Sequence, residues 1–250
     1  MIRRKKENIE WLEFELLQEF PEVVHGVFLR HGGVSKKPFD SLNFGGGTGD
    51  DLEAIAQNRK LICELFGLSE LISSKQIHGS RIELVSQERN LECDGLITLE
   101  KNKGLMIKHA DCQAAIFFDP IQKVVANVHS GWRGSVQNIY ANTVCKMRQE
   151  LGCSPRDLRV CISPSLGPEK AEFVHFEKEL PQSFWPYQVR PSFFDFWEIA
   201  KMQLKQTGVL EEHIEIAGLC TFCEKNDFFS YRRDKKTGRH GTVVAIQKRN

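Results

Sequence analysis

The 250-residue sequence has almost no charge of one sign to spare: 34 Lys and Arg stand against 33 Asp and Glu, for a formal net charge of +1. That balance excludes a nucleic-acid or anionic-membrane binder working through bulk charge. No run of about 18 consecutive apolar residues occurs, so no membrane-spanning helix is expected. No secretory leader is expected either, because the basic residues 3–6 lead into the mixed stretch 9–14 rather than into an apolar core. A cytoplasmic protein is expected, with its eight cysteines (63, 93, 112, 145, 153, 161, 220 and 223) as free thiols. Repeats, low-complexity tracts and linker-like stretches are absent too, so one domain over residues 1–250 is the economical expectation.

Two motifs are incomplete. Gly45-Gly46-Gly47-Thr48-Gly49 lacks the Gly-Lys-Ser/Thr ending of a phosphate loop and the spacing of a dinucleotide fingerprint. Cys220-Thr221-Phe222-Cys223 lacks the second cysteine pair of a structural zinc site, and no clear helix follows it as in a redox motif.

What is present is an ordinary globular composition, 41% hydrophobic and 27% charged, in a chain long enough to bury a large core. Alternation of apolar and polar residues predicts strands near residues 12–16, 24–30, 71–77, 81–85, 95–99, 104–108, 114–118, 123–128, 158–162, 214–217 and 243–246. Three helices are expected. The first is capped by Asp50 or Asp51 and stopped by Gly67, the second runs from Ser135 to Gly152, and the third runs from about Pro191 to Gly208. The class is therefore α+β, with two sheets to pair so many strands.

The chemistry concentrates between residues 110 and 134. If residues 119–122 form a hairpin loop, residue 118 pairs with 123, 116 with 125, and Cys112 falls opposite His129. Cross-strand Cβ atoms lie about 4.5–5.5 Å apart. A thiolate and an imidazole at that separation can share one zinc ion, given Zn–S and Zn–N bonds of about 2.3 and 2.1 Å. His78, in Gln76-Ile77-His78-Gly79 at the expected end of a strand, is the candidate third ligand. Ser130-Gly131-Trp132-Arg133-Gly134 joins a strand to a helix and offers N–H groups and Arg133 to an anion. Arg232 and Arg233 place two guanidiniums in sequence, suited to phosphate or carboxylate.

A series of blocks then resembles a known family: Arg30-His31-Gly32-Gly33-Val34-Ser35, Ser41-Leu42-Asn43, Gly49-Asp50-Asp51, Asn58-Arg59, Gln76-Ile77-His78-Gly79, Asp94-Gly95-Leu96-Ile97-Thr98, Ala110-Asp111-Cys112, residues 128–134 and residues 228–234. In this order they resemble the laccase-domain, or multicopper polyphenol oxidase-like, family over roughly residues 24–246. The resemblance implies a layered α/β/β/α fold with two mixed sheets and a zinc held by His78, Cys112 and His129. It also implies phosphorolysis of adenosine, inosine and 5′-methylthioadenosine, with adenosine deamination as a side activity. Cys112, His129 and Asp111 are then the candidate catalytic residues, Asp111 for proton transfer or for bracing a ligand. Arg30, Asn43, Arg133, Arg232 and Arg233 are the candidates for binding substrate. Purine nucleoside and phosphate are the expected partners.

Some members of this family are described instead as editing enzymes that remove serine from a cell-wall precursor, which makes an amide hydrolase the alternative. A non-catalytic zinc fold is a third reading. Copper is disfavoured, because one Cys and two His cannot supply several copper centres. The chain departs from the family pattern at Gly47, His109 and Glu169.

Overall fold

A computed structural model describes residues 1–85 and 91–247. The chain opens with strands β1 (Ile2–Lys6), β2 (Ile9–Glu13) and β3 (Val23–Phe28), followed by helix α1 (Leu52–Phe66). Strands β4 (Glu70–Ile72), β5 (Ile82–Leu84), β6 (Gly95–Thr98), β7 (Lys103–His109), β8 (Gln113–Asp119) and β9 (Val124–Ser130) come next. Helices α2 (Trp132–Val136) and α3 (Ile139–Leu151), strand β10 (Arg159–Ile162), helix α4 (Phe176–Glu179), strands β11 (Gln188–Arg190) and β12 (Phe193–Phe194) and helix α5 (Phe196–Gln206) follow. Strand β13 (Ile214–Ile216), the single-turn helix α6 (Tyr231–Asp234) and strand β14 (His240–Ile246) complete the order.

Among the described residues the strands form two large mixed sheets, ordered β1-β2-β3-β14-β7-β4 and β13-β10-β8-β9-β6-β5. Period-two alternation decides how they stack. In β8, Ile116 and Phe118 join Leu105 and Val244 of the first sheet in a core between the sheets, while Ala115 and Phe117 face α3 and α5. On the far side of the first sheet, Val243 and Ala245 pack with Ile62 and Phe66 of α1. The layers therefore run α/β/β/α, as expected. Asn127, buried between the sheets, ties them directly by donating to the carbonyls of Leu105 and Thr242 at 3.0 and 2.8 Å.

The cap signals around α1 hold: the Asp51 side chain accepts from the Glu53 N–H, and Gly67 closes the helix at φ 62°. The other two helices begin elsewhere than expected. Asn138, at φ 52°, breaks the second into α2 and α3 and caps α3 by accepting from the Ala141 N–H. Ser192, at φ 67°, interrupts the third, so Phe193 and Phe194 pair as a strand with β11 and Asp195 caps α5.

The β8–β9 register also differs. Asp119 stays in the ladder and pairs with Val124, while its Oδ1 accepts from the N–H groups of Ile121 and Gln122. The loop is therefore residues 120–123, and His129 lies opposite Ala114 rather than Cys112. No described helix is long and apolar enough to cross a membrane. All eight cysteines are free.

Candidate metal centre

Three side chains from separate segments converge where the two sheets open. In β9, alternation turns His129 to the same inner face as Val125 and Asn127, and its ring is buried. Cys112 sits in the turn between β7 and β8, just beyond the ladder. The register carried one pair beyond the ladder sets it across from Gly131, which has no side chain to obstruct it. A Cβ on Gly131 would lie 3.1 Å from both Cys112 Sγ and His78 Nδ1. His78 comes from a loop rather than from a strand end, since β4 stops at Ile72, and its backbone is left-handed at φ 57°.

The ligand atoms of His78, Cys112 and His129 lie within 4.8 Å of one another, and this is the one such group of three among the described residues. The His78 and His129 rings meet edge to face at 4.8 Å between centroids.

Asp94, fully buried just before β6, braces two of the three. Its Oδ1 accepts from the His78 N–H at 3.0 Å and lies 2.9 Å from His129 Nδ1, and its Oδ2 accepts from the Gly79 N–H at 2.7 Å. Burial alone would raise the Asp94 carboxyl, but the bonds from His129 and from the Gly79 and His78 N–H groups hold it below its ordinary value. With Nδ1 engaged by the carboxylate, Nε2 of His129 is left to bind a metal. Burial likewise works against the charged forms of the other two groups and is outweighed. The neighbouring His129 and His78 bring the Cys112 thiol down to about 6, and Cys112 with Asp94 raises His129 to about 9. A thiolate and two imidazoles form a donor set that suits zinc(II).

The centre lies between two cavities that share Ala110, Cys112 and Tyr231. One, of about 300 Å³, is walled by Trp132, Phe173, Phe196 and Leu166, with Asp111, Arg232 and Lys235 at its polar edge. The other, of about 600 Å³, is bordered by Gly45, Gly46, Gly47, Gln76, Lys108, His109 and Arg239 together with all three candidate ligands.

Not all residues singled out from the sequence reach these cavities. Asp111, at φ 94°, borders the aromatic cavity, and its carboxylate accepts from Thr221 Oγ1 at 2.8 Å and from the Arg232 N–H at 2.6 Å. Arg232 lines the same cavity, with Nη2 donating to the Glu172 carbonyl. Its neighbour Arg233 turns away and donates to the carbonyls of Thr221, Phe222 and Phe228. Arg30 stacks over Phe229 at 4.7 Å and donates to the Asp40 carbonyl, while Arg133 is exposed and stacked on Trp132 at 4.2 Å. Asn43 is buried as a brace: its Oδ1 accepts from the N–H groups of Gly45 and Arg239, and its Nδ2 donates to Asp50.

Sequence reasoning missed Asp94, Lys108, Tyr231 and Arg239. Asp94 stood inside a block already recognised, and a buried carboxylate one strand away from His129 was its available signal. Lys108 and Arg239 gave none, since only the β7–β14 pairing brings them to one cavity.

Residues 24–247 match the family model for multi-copper polyphenol oxidoreductase laccase. The purine nucleoside phosphorylase YlmD of Bacillus subtilis is 30% identical, with 92% of this chain and 91% of that protein covered. A purine nucleoside phosphorylase of Haemophilus influenzae is 32% identical, with 90% and 95% covered. Among solved structures, YlmD from Geobacillus stearothermophilus superposes with a TM-score of 0.88 at 28% identity over 99% of both chains. The hypothetical protein YfiH of Bacillus licheniformis does so with a TM-score of 0.89 at 28% identity, over 98% and 99%.

Proposed function

Because the chain belongs to the multi-copper polyphenol oxidoreductase laccase family, we propose that it is a zinc-dependent purine nucleoside phosphorylase acting on adenosine, inosine and 5′-methylthioadenosine, with adenosine deamination as a side activity. Relatives named purine nucleoside phosphorylase, about 30% identical over about nine-tenths of each chain, support an enzyme of this type. The observation that carries the reading is the placement of His78, Cys112 and His129 at the junction of an aromatic cavity and a polar one. A nucleoside has the same division, a flat base joined to a polar sugar. The cytoplasm, where nucleosides and phosphate meet, is part of the same reading.

In phosphorolysis a phosphate oxygen bonds to the anomeric carbon, the bond from that carbon to the base nitrogen breaks, and the base leaves with the electron pair and takes a proton. His78, Cys112 and His129 would hold the zinc ion, which when bound supplies a fixed Lewis-acidic charge beside the reacting groups. The chain's own side chains do the rest. Trp132, Phe173 and Phe196 offer faces on which a purine stacks and from which water is excluded. Both Asp111 oxygens accept one bond already and keep further lone pairs, so the carboxylate can also receive a purine N–H and hold the departing base. Arg232, anchored through its own N–H to Asp111, brings a cation to the same edge.

The test is a panel of purine nucleosides incubated with and without phosphate and read by mass spectrometry. Free base and ribose 1-phosphate forming only with phosphate are expected. Serine release from a muramyl substrate without phosphate, or bound metal without turnover of any nucleoside, would overturn the reading.

A further inference from the structure

Two cations, Lys108 and Arg239, border the polar cavity without a carboxylate at ion-pair distance among the described residues, and a third, Arg59, acts on Lys108 from nearby. Lys108, on β7, is partly buried, and Nζ donates to the Ser74 carbonyl at 3.1 Å. Arg239, immediately before β14, is also partly buried, and Nη1 donates to the carbonyls of Thr237 and Gly238. Behind them Arg59 of α1 donates to the Leu71 carbonyl and to Ser73 Oγ.

Among the described residues none of the three has an ion pair. At the rim, by contrast, the exposed Lys75 is paired with Glu92 at 2.6 Å. Burial lowers all three below their ordinary values, and Arg59 pushes Lys108 down further. Cys112 and Asp111 favour the charged form of Arg239 without reaching it as an ion pair; the carbonyls around these three satisfy N–H groups without neutralising charge, and a part-buried cation lacking a paired anion is costly. The deficit centres on a cavity large enough for phosphate and a sugar, one wall of which is the bare backbone of Gly45, Gly46 and Gly47.

We propose that this cavity is the oxyanion subsite and takes inorganic phosphate between Lys108 and Arg239, while the nucleobase occupies the aromatic cavity on the other side of Cys112 and Tyr231. The shared residues favour this division. Tyr231 borders both cavities, and the Arg239 guanidinium lies 5.6 Å from its ring centroid, so the anion-binding cation and the wall against the ribose are one packed unit. Phosphate entering from the polar side would approach the sugar from the side opposite the base, as displacement at the anomeric carbon requires. The phosphate-binding role therefore rests with Lys108 and Arg239 rather than with the Arg232–Arg233 pair. The inference builds on the phosphorylase reading, but its first readout is phosphate binding rather than turnover.

Inorganic phosphate would be titrated into the metal-loaded protein by calorimetry, for wild type and for Lys108→Met, Arg239→Met, Lys108→Arg and Arg239→Lys. Each Met variant should raise the phosphate Kd about tenfold or more, as loss of one charge-assisted hydrogen bond predicts. The charge-keeping variants should stay within about threefold of wild type. Metal content should be unchanged, and melting curves identify any variant that fails to fold, leaving the other position to decide. Phosphate binding that is lost as predicted, in a wild type that makes no ribose 1-phosphate, would sink the phosphorylase reading and keep the subsite. Phosphorolysis with an unchanged phosphate KM in both folded Met variants, or no phosphate binding by wild type, would overturn the subsite.

Discussion

Asp94 acts on two ligand-bearing segments at once. One carboxylate fixes the tautomer of His129 and, through the N–H groups of His78 and Gly79, holds the left-handed turn that presents His78. Asp94→Asn keeps the volume but replaces one acceptor oxygen by an NH₂ group facing N–H donors. Metal affinity should fall about 10- to 100-fold, the usual cost of losing a group that orients a ligand, as read by competition with a chromophoric chelator. Gly131→Ala tests the same centre by shape alone. Its backbone, at φ −79°, suits alanine, yet the new methyl would sit 3.1 Å from Cys112 Sγ and His78 Nδ1. Zinc affinity should drop while the melting temperature of the metal-free protein holds. Unchanged affinity would mean that the three donors do not close on one ion.

At the scale of elements, the β2–β3 pair carries a titration that works through folding. His25, on β3, is buried, and its Nε2 accepts the Phe14 N–H at 2.8 Å, a bond that only the unprotonated nitrogen can take. Burial lowers its pKa from 6.5 to about 4 despite the nearby Glu13. Above pH 6.5 neither folded nor unfolded chain protonates this ring, and the contribution is constant. Between 6.5 and about 4 the unfolded chain binds a proton that the native ring refuses, so stability falls with pH, and below about 4 this slope ends. The full loss is about 3 kcal/mol at about 1.4 kcal/mol per pH unit. Denaturant unfolding at several pH values, compared between wild type and His25→Gln, should show that portion of the slope in wild type only.

Such elements also show how far local reading extends. The ends of α1 were legible because Asp51 and Gly67 act within one turn of the chain. The α/β/β/α layering was legible only through the family resemblance, since alternation does not say which sheet a strand joins. The β8–β9 register was misread by two because Asp119 uses its side chain to close the turn from inside the ladder. Cys112 and His129 still came together, since Cys112 reaches the ring from beyond the strand. The position of His78 was legible as a motif and its loop geometry was not, because Asp94, from the segment leading into β6, imposes it.

The whole molecule makes the centre a joint between its two sheets. Cys112 occupies the crossing from β7 of the first sheet to β8 of the second, His129 ends β9 of the second, and His78 lies on the path from β4 of the first to β5 of the second. An ion held by all three would tie those crossings together in the native state, and the unfolded chain would have no equivalent site. Mass action then converts binding into stability, about 2.7 kcal/mol at a free zinc concentration 100 times Kd. In a domain of this size about 1 kcal/mol raises Tm by roughly 2–4 °C, so zinc should lift the melting temperature by about 5–10 °C and a chelator should remove the gain. The Cys112→Ser, His129→Ala double variant separates this joint from incidental binding at other cysteines and histidines. Its melting temperature should not respond to zinc over the range in which wild type responds. An equal rise in the double variant would place the stabilising ion somewhere other than between the sheets.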